Sequence, residues 1–131
     1  MGKVKPPFAD DVAHYERLLG RHARLETAEV AEDDAIVRRI PEGAHVCLLD
    51  REGDQLTSEE LASFLEDRRM SRADLCFVVG GPSGVGPAVI DRADRRIALG
   101  RITLPHQLAR VVLLEQLFRA HKILAGESYH Y

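Results

Sequence analysis

The stretch Leu75-Cys-Phe-Val-Val-Gly-Gly-Pro-Ser-Gly-Val-Gly86 decides the fold class. Its first five residues are all apolar, which is typical of a strand covered on both faces within a parallel sheet. The rest of the stretch, residues 80–86, is rich in glycine and predicts a loop at the carboxyl end of that strand. In open α/β sheets ligands bind beyond the carboxyl ends of the strands, so this loop is a candidate binding element.

Helix and strand patterns alternate on both sides of this stretch. Helices are predicted over residues 7–21, 33–40, 87–93 and 107–124, and a capping box from Thr57 to Glu60 opens a further helix through about Arg69. Strands are predicted over residues 25–30, 44–49 and 96–99, with a loop over 50–53. This order predicts one α/β domain over residues 1–131, with a mainly parallel sheet flanked by helices.

Composition excludes several classes of protein. With 131 residues, 45% of them hydrophobic, the chain fits a single core. No apolar run reaches about 18 residues, and the first residues lack a signal pattern, so a cytoplasmic protein without a membrane span is expected. Cys47 and Cys76 lie in apolar runs and are expected to be buried thiols. No cysteine or histidine spacing suggests a structural metal.

Charge is distributed unevenly along a chain whose formal net charge is −3. Residues 1–67 carry 8 Lys or Arg against 16 Asp or Glu, whereas residues 68–131 carry 10 against 5. If the protein contacts a polyanion, the C-terminal half is expected to do so. The alternative is that these charges only solvate helix faces.

The glycine loop does not have the sequence of a nucleotide-binding P-loop. Gly81 and Gly86 have the required spacing, but Pro87 and Ala88 stand where Lys and Ser or Thr would be needed. Without the lysine ammonium and the metal-binding hydroxyl, the loop cannot neutralise the charge of a triphosphate. The loop is therefore either a structural turn or a ligand loop of another kind.

Two polar segments near the C-terminus are candidates for chemistry. His106 opens the long helix, where its imidazole could contact a ligand or accept a proton; the alternative is a partly buried histidine bonded to the backbone. The tail Ser128-Tyr-His-Tyr131 carries aromatic rings that stack on bases and an imidazole that titrates near neutral pH. Most tails, however, fray.

Motifs in the second half of the chain resemble a known family. They are Phe77-Val-Val-Gly-Gly-Pro-Ser-Gly84, Thr103-Leu-Pro-His-Gln-Leu-Ala-Arg110, Leu114-Glu-Gln-Leu-Phe-Arg-Ala120 and Tyr129-His130. Together, in this order and spacing, they closely resemble the ribosomal RNA large subunit methyltransferase H family of the SPOUT class. The resemblance runs from about residue 2 to the end and is strongest from Leu75 onward.

The resemblance implies a fold, a reaction and an assembly. The family folds with a deep C-terminal trefoil knot and methylates N3 of a pseudouridine in helix 69 of 23S rRNA, on the ribosome. Its methyl donor is S-adenosyl-L-methionine (SAM). Its members are homodimers, and each active site uses residues of both subunits.

The resemblance also implies roles for residues of this chain. The cofactor pocket would be formed by the backbone of Leu49, Asp50, Gly81, Gly100, Arg101, Ile102, Thr103, Leu104 and Pro105. Arg110, Tyr129 and His130 match positions around the substrate. His130 or His106 is expected to act as base or proton relay, with Tyr129 positioning the target base. Arg110 and Arg119 are each expected to contact either phosphate or the second subunit.

The chain also departs from the family pattern. The family begins with a strand ahead of the position of Gly2 and Lys3, so a first strand is expected to lie upstream or to be missing. Gly100 stands where the family often has Ser, and Tyr131 where a basic residue is common. These departures keep three alternatives open: a SPOUT methyltransferase with another RNA target, a homologue that binds SAM or ribosomes without catalysis, and a dimeric scaffold without ligand.

Overall fold

The computed structural model of the protein describes residues 8–30, 32–80 and 84–127. The helices and strands within them follow the chain as α1 (Ala9–Leu19), α2 (Asp33–Arg39), β1 (His45–Gln55), α3 (Ser58–Ser71), β2 (Leu75–Val79), α4 (Pro87–Arg92), β3 (Arg95–Ala98) and α5 (His106–Leu124). The predicted capping box is present, because Thr57 Oγ1 accepts from the Glu60 amide and Glu60 accepts from the Thr57 amide. The predicted helices are confirmed to within about two residues at the ends that are described.

The sheet has three strands in the order β2-β1-β3, and both pairings are parallel. Leu49 lies opposite Val79 on one side and Ile97 on the other. The chain therefore leaves all three strands at one side of the sheet, which we call the carboxyl edge; the side where the strands begin is the amino edge. The prediction of an α/β fold with a parallel sheet is confirmed, while the trefoil knot and the fate of a first strand remain predictions.

Helices cover the two faces of the sheet unequally. On one face α1, α3 and α5 surround a large core that includes Cys47, Phe64, Leu114 and Phe118. The other face carries a smaller core of Val46, Leu48, Val78 and Val89, and side chains of α2 pack against it. Because alternate residues of β1 point to opposite faces, Val46 and Leu48 enter the small core while Cys47 enters the large one. The apolar run of β1 thus supports both layers.

Strand β1 is longer than the sequence predicts. The prediction ended it at Leu49 and placed a loop over 50–53, but the chain stays paired with β3 as far as Gln55. The register shifts between Leu49 and Asp54, which both face Ile97, so residues 50–53 form a bulge. Gly53 allows β1 to pair with β3 again after the bulge. Any other residue at this position would place its Cβ only 2.6 Å from the Arg96 carbonyl carbon.

The strand predicted over residues 25–30 is wrong. The segment has no regular secondary structure and lies almost entirely exposed, joined to α1 and α5 by side chains. Thr27 Oγ1 donates to Glu16 at 3.0 Å, and the Arg110 guanidinium donates to Glu29 at 2.9 Å. The segment is therefore an irregular connection that side chains hold against the two helices.

The cysteines and the helices agree with two further expectations. Cys47 is fully buried and Cys76 partly buried, and both are free thiols. Burial raises the pKa of each thiol, so both are protonated at neutral pH. Among the described helices, none combines the length and apolar character needed to cross a membrane.

Candidate functional site

The carboxyl edge brings together three segments that are far apart in the sequence. They are the bulge 50–53 that follows Leu49, the glycine loop that begins at Gly80, and the segment 99–105 between β3 and α5. Their convergence follows from the parallel order of the strands, since parallel strands end at the same edge. Of the predicted cofactor residues, Leu49, Asp50 and 100–105 lie here, whereas Gly81 is outside the described residues.

Asp50 uses both carboxylate oxygens within the protein. Oδ1 accepts from the Glu52 amide at 3.0 Å, and Oδ2 accepts from the Arg96 guanidinium at 3.1 Å. The backbone hydrogen bond from Glu52, followed by the contact with Arg96, lowers the pKa of Asp50 below its ordinary value. The carboxylate is therefore charged at neutral pH and fixes the bulge against β3.

The segment 100–105 is the most open part of this edge. Gly100 has a φ of +124°, a backbone conformation that L side chains rarely adopt, and nothing lies within 4 Å of the place a Cβ would occupy. Ile102 is 80% exposed. Within the described residues, the backbone groups of 100–104 make no hydrogen bond to other backbone, and residues 101–103 are exposed, so their N–H and C=O groups are available to a ligand.

One side-chain hydrogen bond joins the first and third segments. Arg51 Nη1 donates to Thr103 Oγ1 at 2.9 Å, across 52 positions of sequence. The sequence motifs predict Thr103 as a site residue but not Arg51, nor Arg96, which pairs with Asp50. Charged residues directly after a buried strand are a signal for such contacts, but the sequence cannot supply their partners.

Glycines also shape the described ends of the glycine loop. Gly84 has a φ of +75°, and Gly86 precedes α4 with the Asp33 carboxylate so close that a Cβ on Gly86 would overlap it. A side chain at Gly86 would therefore require the Asp33 carboxylate to move. Whether the loop is a structural turn or a ligand loop stays a prediction.

His106 is the first residue of α5 and is half-buried beside this edge. Pro105 precedes it at the N-cap, and no side chain caps the helix. His106 is thus placed next to the open segment 100–105, as predicted. Tyr129 and His130, the other predicted catalytic residues, lie outside the described residues, as does Tyr131.

The two arginines predicted to contact phosphate or a second subunit both have acidic partners in the same chain. Arg110 lies 2.9 Å from Glu29 and 3.8 Å from Glu16. Arg119 lies 2.8 Å from Glu115, one helical turn away. No group of three or more potential metal ligands occurs among the described residues.

Comparison with known proteins agrees with this architecture. A family model described as "Predicted SPOUT methyltransferase" matches residues 1–130. Three proteins named "Ribosomal RNA large subunit methyltransferase H" are similar over almost their whole length. The protein of Rubrobacter xylanophilus is 46% identical, with 100% of this chain and 94% of the relative aligned. Those of Bifidobacterium adolescentis and a Thermotoga species are 38% and 34% identical, with at least 99% of this chain and 95% of each relative aligned.

The parallel sheet, the glycine loop and the open segment before α5 thus occur in a chain that belongs to the SPOUT methyltransferases. Within that class it belongs to the ribosomal RNA large subunit methyltransferase H family. The resemblance seen in the sequence motifs is confirmed.

Proposed function

We propose that this protein transfers a methyl group from SAM to N3 of a pseudouridine in helix 69 of 23S rRNA, on the assembled ribosome in the cytoplasm. Family membership supports the reaction class, and the relatives' names support the large-subunit RNA. The single observation that carries the proposal is the open segment 100–105, adjacent to the ends of β1 and β3 and to His106.

The carboxyl edge fits SAM in its chemistry. Backbone N–H and C=O groups of residues 100–104, which make no hydrogen bond to other described backbone, match the donors and acceptors of an adenine and a ribose. The exposed Ile102 side chain offers an apolar surface for the adenine ring, and the open space at Gly100 leaves room for close approach. Leu49, Asp50, Gly81, Gly100, Arg101, Ile102, Thr103, Leu104 and Pro105 would hold the cofactor.

Bound SAM supplies a methyl group that its sulfonium already activates, so the protein must align the target and accept a proton. An imidazole of the protein would take the proton from N3 of the pseudouridine, and bound SAM would supply the methyl group that replaces it. His106 stands beside the cofactor segment and His130 lies in the C-terminal tail; we assign the proton transfer to one of them. Tyr129 would position the target base, and alignment accounts for a large part of the rate.

A homodimer would complete the site, with the tail of one subunit next to the carboxyl edge of the other. The RNA contact is assigned to Arg110, which is held at present by Glu29 and Glu16 on the protein surface. Exposed ion pairs of this kind contribute about 0–1 kcal/mol, so a phosphate can replace them.

The test is methyl transfer from labelled SAM to purified ribosomes that lack the modification, compared with naked 23S rRNA. We expect label in the ribosomes, mapped by mass spectrometry to N3 of a helix 69 pseudouridine, and much less in naked RNA. Label at another nucleotide would indicate a different RNA target. A protein that binds SAM in calorimetry but transfers no label would be a binding homologue rather than an enzyme.

Two histidine variants test the proton transfer. We expect His130→Ala or His106→Ala to lower kcat by about 100-fold or more, the usual contribution of a general base, with the Kd for SAM unchanged in calorimetry. His14→Ala is the matched control, because His14 is exposed on α1 and outside the proposed site. If both variants transferred methyl at the rate of the unmodified protein, neither imidazole would be the base.

A further inference from the structure

We propose that Arg51 is a positioning residue that holds the cofactor segment 100–105 in its binding conformation through Thr103. This inference rests on the proposed SAM site and adds a residue to it. Arg51 Nη1 donates to Thr103 Oγ1 at 2.9 Å. The bond joins the first strand-end segment of the site to the third.

Arg51 is suited to this role because its own backbone is fixed. Asp50, next to it, is bound through one oxygen to the Glu52 amide and through the other to Arg96 of β3. Gly53 packs directly on the peptide that joins Arg96 to Ile97, and the strand then resumes its pairing. The bulge is therefore anchored to the sheet on both sides of Arg51.

The segment that Arg51 contacts has few other hydrogen bonds to the described residues. Between Ala98, where β3 ends, and His106, where α5 begins, the bond to Thr103 is the one side-chain hydrogen bond within the part of the chain that the structure describes. The backbone of 100–104 makes no hydrogen bond to other backbone in the same residues. Gly100, at a φ of +124°, adds a residue of high conformational freedom.

A fixed donor bonded to a loosely held segment reduces the number of conformations open to that segment before a ligand binds. Preorganisation of this kind increases affinity by lowering the entropy lost on binding. Preorganisation of the segment stabilises bound SAM equally in the ground state and in the transition state. Loss of the Arg51 contact should therefore raise the Kd and the KM for SAM and leave kcat unchanged.

The experiment measures the Kd for SAM by calorimetry and the steady-state constants on ribosomes for Arg51→Met, Thr103→Val and the double variant. A net hydrogen bond of ordinary strength corresponds to about a threefold to tenfold change in affinity. We expect Arg51→Met to raise the Kd and the KM for SAM by this factor, with kcat within about twofold of the unmodified protein. Arg51→Lys, which keeps one donor, should recover part of the affinity.

The double variant separates positioning from a general effect of charge. In the Thr103→Val background, Arg51→Met should change the Kd no further, because the acceptor is already gone. Arg69→Met, at an exposed arginine paired with Glu66 within α3, is the matched control and should leave the Kd unchanged. Hydrogen exchange of the amides of 100–104 in the ligand-free protein should become faster in Arg51→Met and stay the same in Arg69→Met.

Each result bears on one of the two proposals. If the unmodified protein binds SAM, and Arg51→Met binds it equally well without faster exchange, Arg51 does not position the segment and the proposed function stands. The inference would also be overturned if the fold-changes in the Kd for SAM of Arg51→Met and Thr103→Val multiplied in the double variant. If the unmodified protein fails to bind SAM, the proposed function fails, while the exchange measurement still tests the contact.

Discussion

The two edges of the sheet are held together in different ways. At the amino edge two side chains bind main-chain groups, since the Asp94 carboxylate accepts from the Val46 amide at 2.8 Å and Arg92 donates to the Ala44 carbonyl at 2.8 Å. Arg92 also pairs with Asp94, and Arg68 with His45. At the carboxyl edge side chains bind mostly one another, as in the Asp50–Arg96 and Arg51–Thr103 contacts.

This difference separates stability from binding. At the amino edge main-chain groups are paired, which closes that side of the sheet. At the carboxyl edge the side-chain pairs hold the segments in place, and the main chain of residues 100–104 is left without hydrogen bonds to other described backbone. Changes at the amino edge should therefore alter the free energy of unfolding alone, and changes at the carboxyl edge should also alter SAM binding.

The largest effect is expected from Gly53→Ala at the carboxyl edge. The added Cβ would lie 2.6 Å from the Arg96 carbonyl carbon and 2.7 Å from the Ile97 amide nitrogen, so β1 and β3 must move apart. We expect the free energy of unfolding to fall by about 3 kcal/mol, measured by chemical denaturation, and SAM binding to weaken with it.

Gly20→Ala is the matched control for this substitution. Gly20 ends α1 in a helical conformation, and the nearest atom to its Cβ position is 3.4 Å away. Alanine should therefore be neutral or slightly stabilising there. Equal losses from the two alanines would show that the close approach at Gly53 does not limit the sheet.

The next effect in size is expected from Asp94→Ala at the amino edge. Removal of the carboxylate leaves the Val46 amide, in a fully buried residue, without its acceptor. We expect a loss of about 2 kcal/mol in the free energy of unfolding, with the Kd for SAM unchanged. Asp94→Asn keeps an oxygen acceptor and should lose less. A clear rise in the Kd in Asp94→Ala would mean that the two edges are not independent.

The arrangement of the layers could be predicted from local patterns. Thr57 with Glu60 marked the start of a helix, and the apolar run from Leu75 to Val79 marked a parallel strand. Its predicted place in the middle of the sheet is wrong for the described residues, because β1 lies between β2 and β3. Because parallel strands end at one edge, the order of the elements was enough to bring Asp50 and the segment before His106 together.

Contacts between distant polar residues could not be predicted in the same way. The sequence Asp50-Arg-Glu-Gly-Asp54 has the composition of a turn, yet β1 continues through it as a bulge in which Asp50 meets Arg96 and Gly53 lies against β3. Residues 25–30 are bounded by apolar residues as a short strand would be, but their partners are the Glu16 and Arg110 side chains. Such pairs depend on tertiary geometry, which overrides local strand propensity.

The smallest effect is expected from His45, at the start of β1 on the amino edge. Its Nδ1 lies 3.0 Å from Arg68 and its ring packs on Phe64, while Nε2 is buried without a hydrogen bond in the described residues. Burial, followed by the charge of Arg68, lowers the pKa of His45; Arg95 and Arg92 act in the same direction and Asp94 opposes them. Protonation is thus less favourable in the folded protein than in the unfolded chain.

The sign of the pH dependence follows from this lowered pKa. Above about pH 6.5 the His45 imidazole is neutral in the folded and in the unfolded protein, so it does not change the free energy of unfolding. As the pH drops below that value, the unfolded chain binds the proton more readily, and the free energy of unfolding falls. Asp50 and Asp94, whose pKa values are also lowered, keep their stabilising charge until about pH 4, so they do not contribute between pH 7 and pH 5. Denaturation midpoints in this window therefore report on histidines.

We expect His45→Gln to reduce the loss of stability between pH 7 and pH 5, and His14→Gln, at an exposed position, to leave it unchanged. A part of the slope should remain, because burial and the neighbouring His22 also lower the pKa of His121 on α5. The double variant His45→Gln/His121→Gln should lose less stability over this range than either single variant. If stability fell as steeply with pH in His45→Gln as in the unmodified protein, burial at the amino edge would not oppose protonation of His45. The amino and carboxyl edges would then differ only in degree.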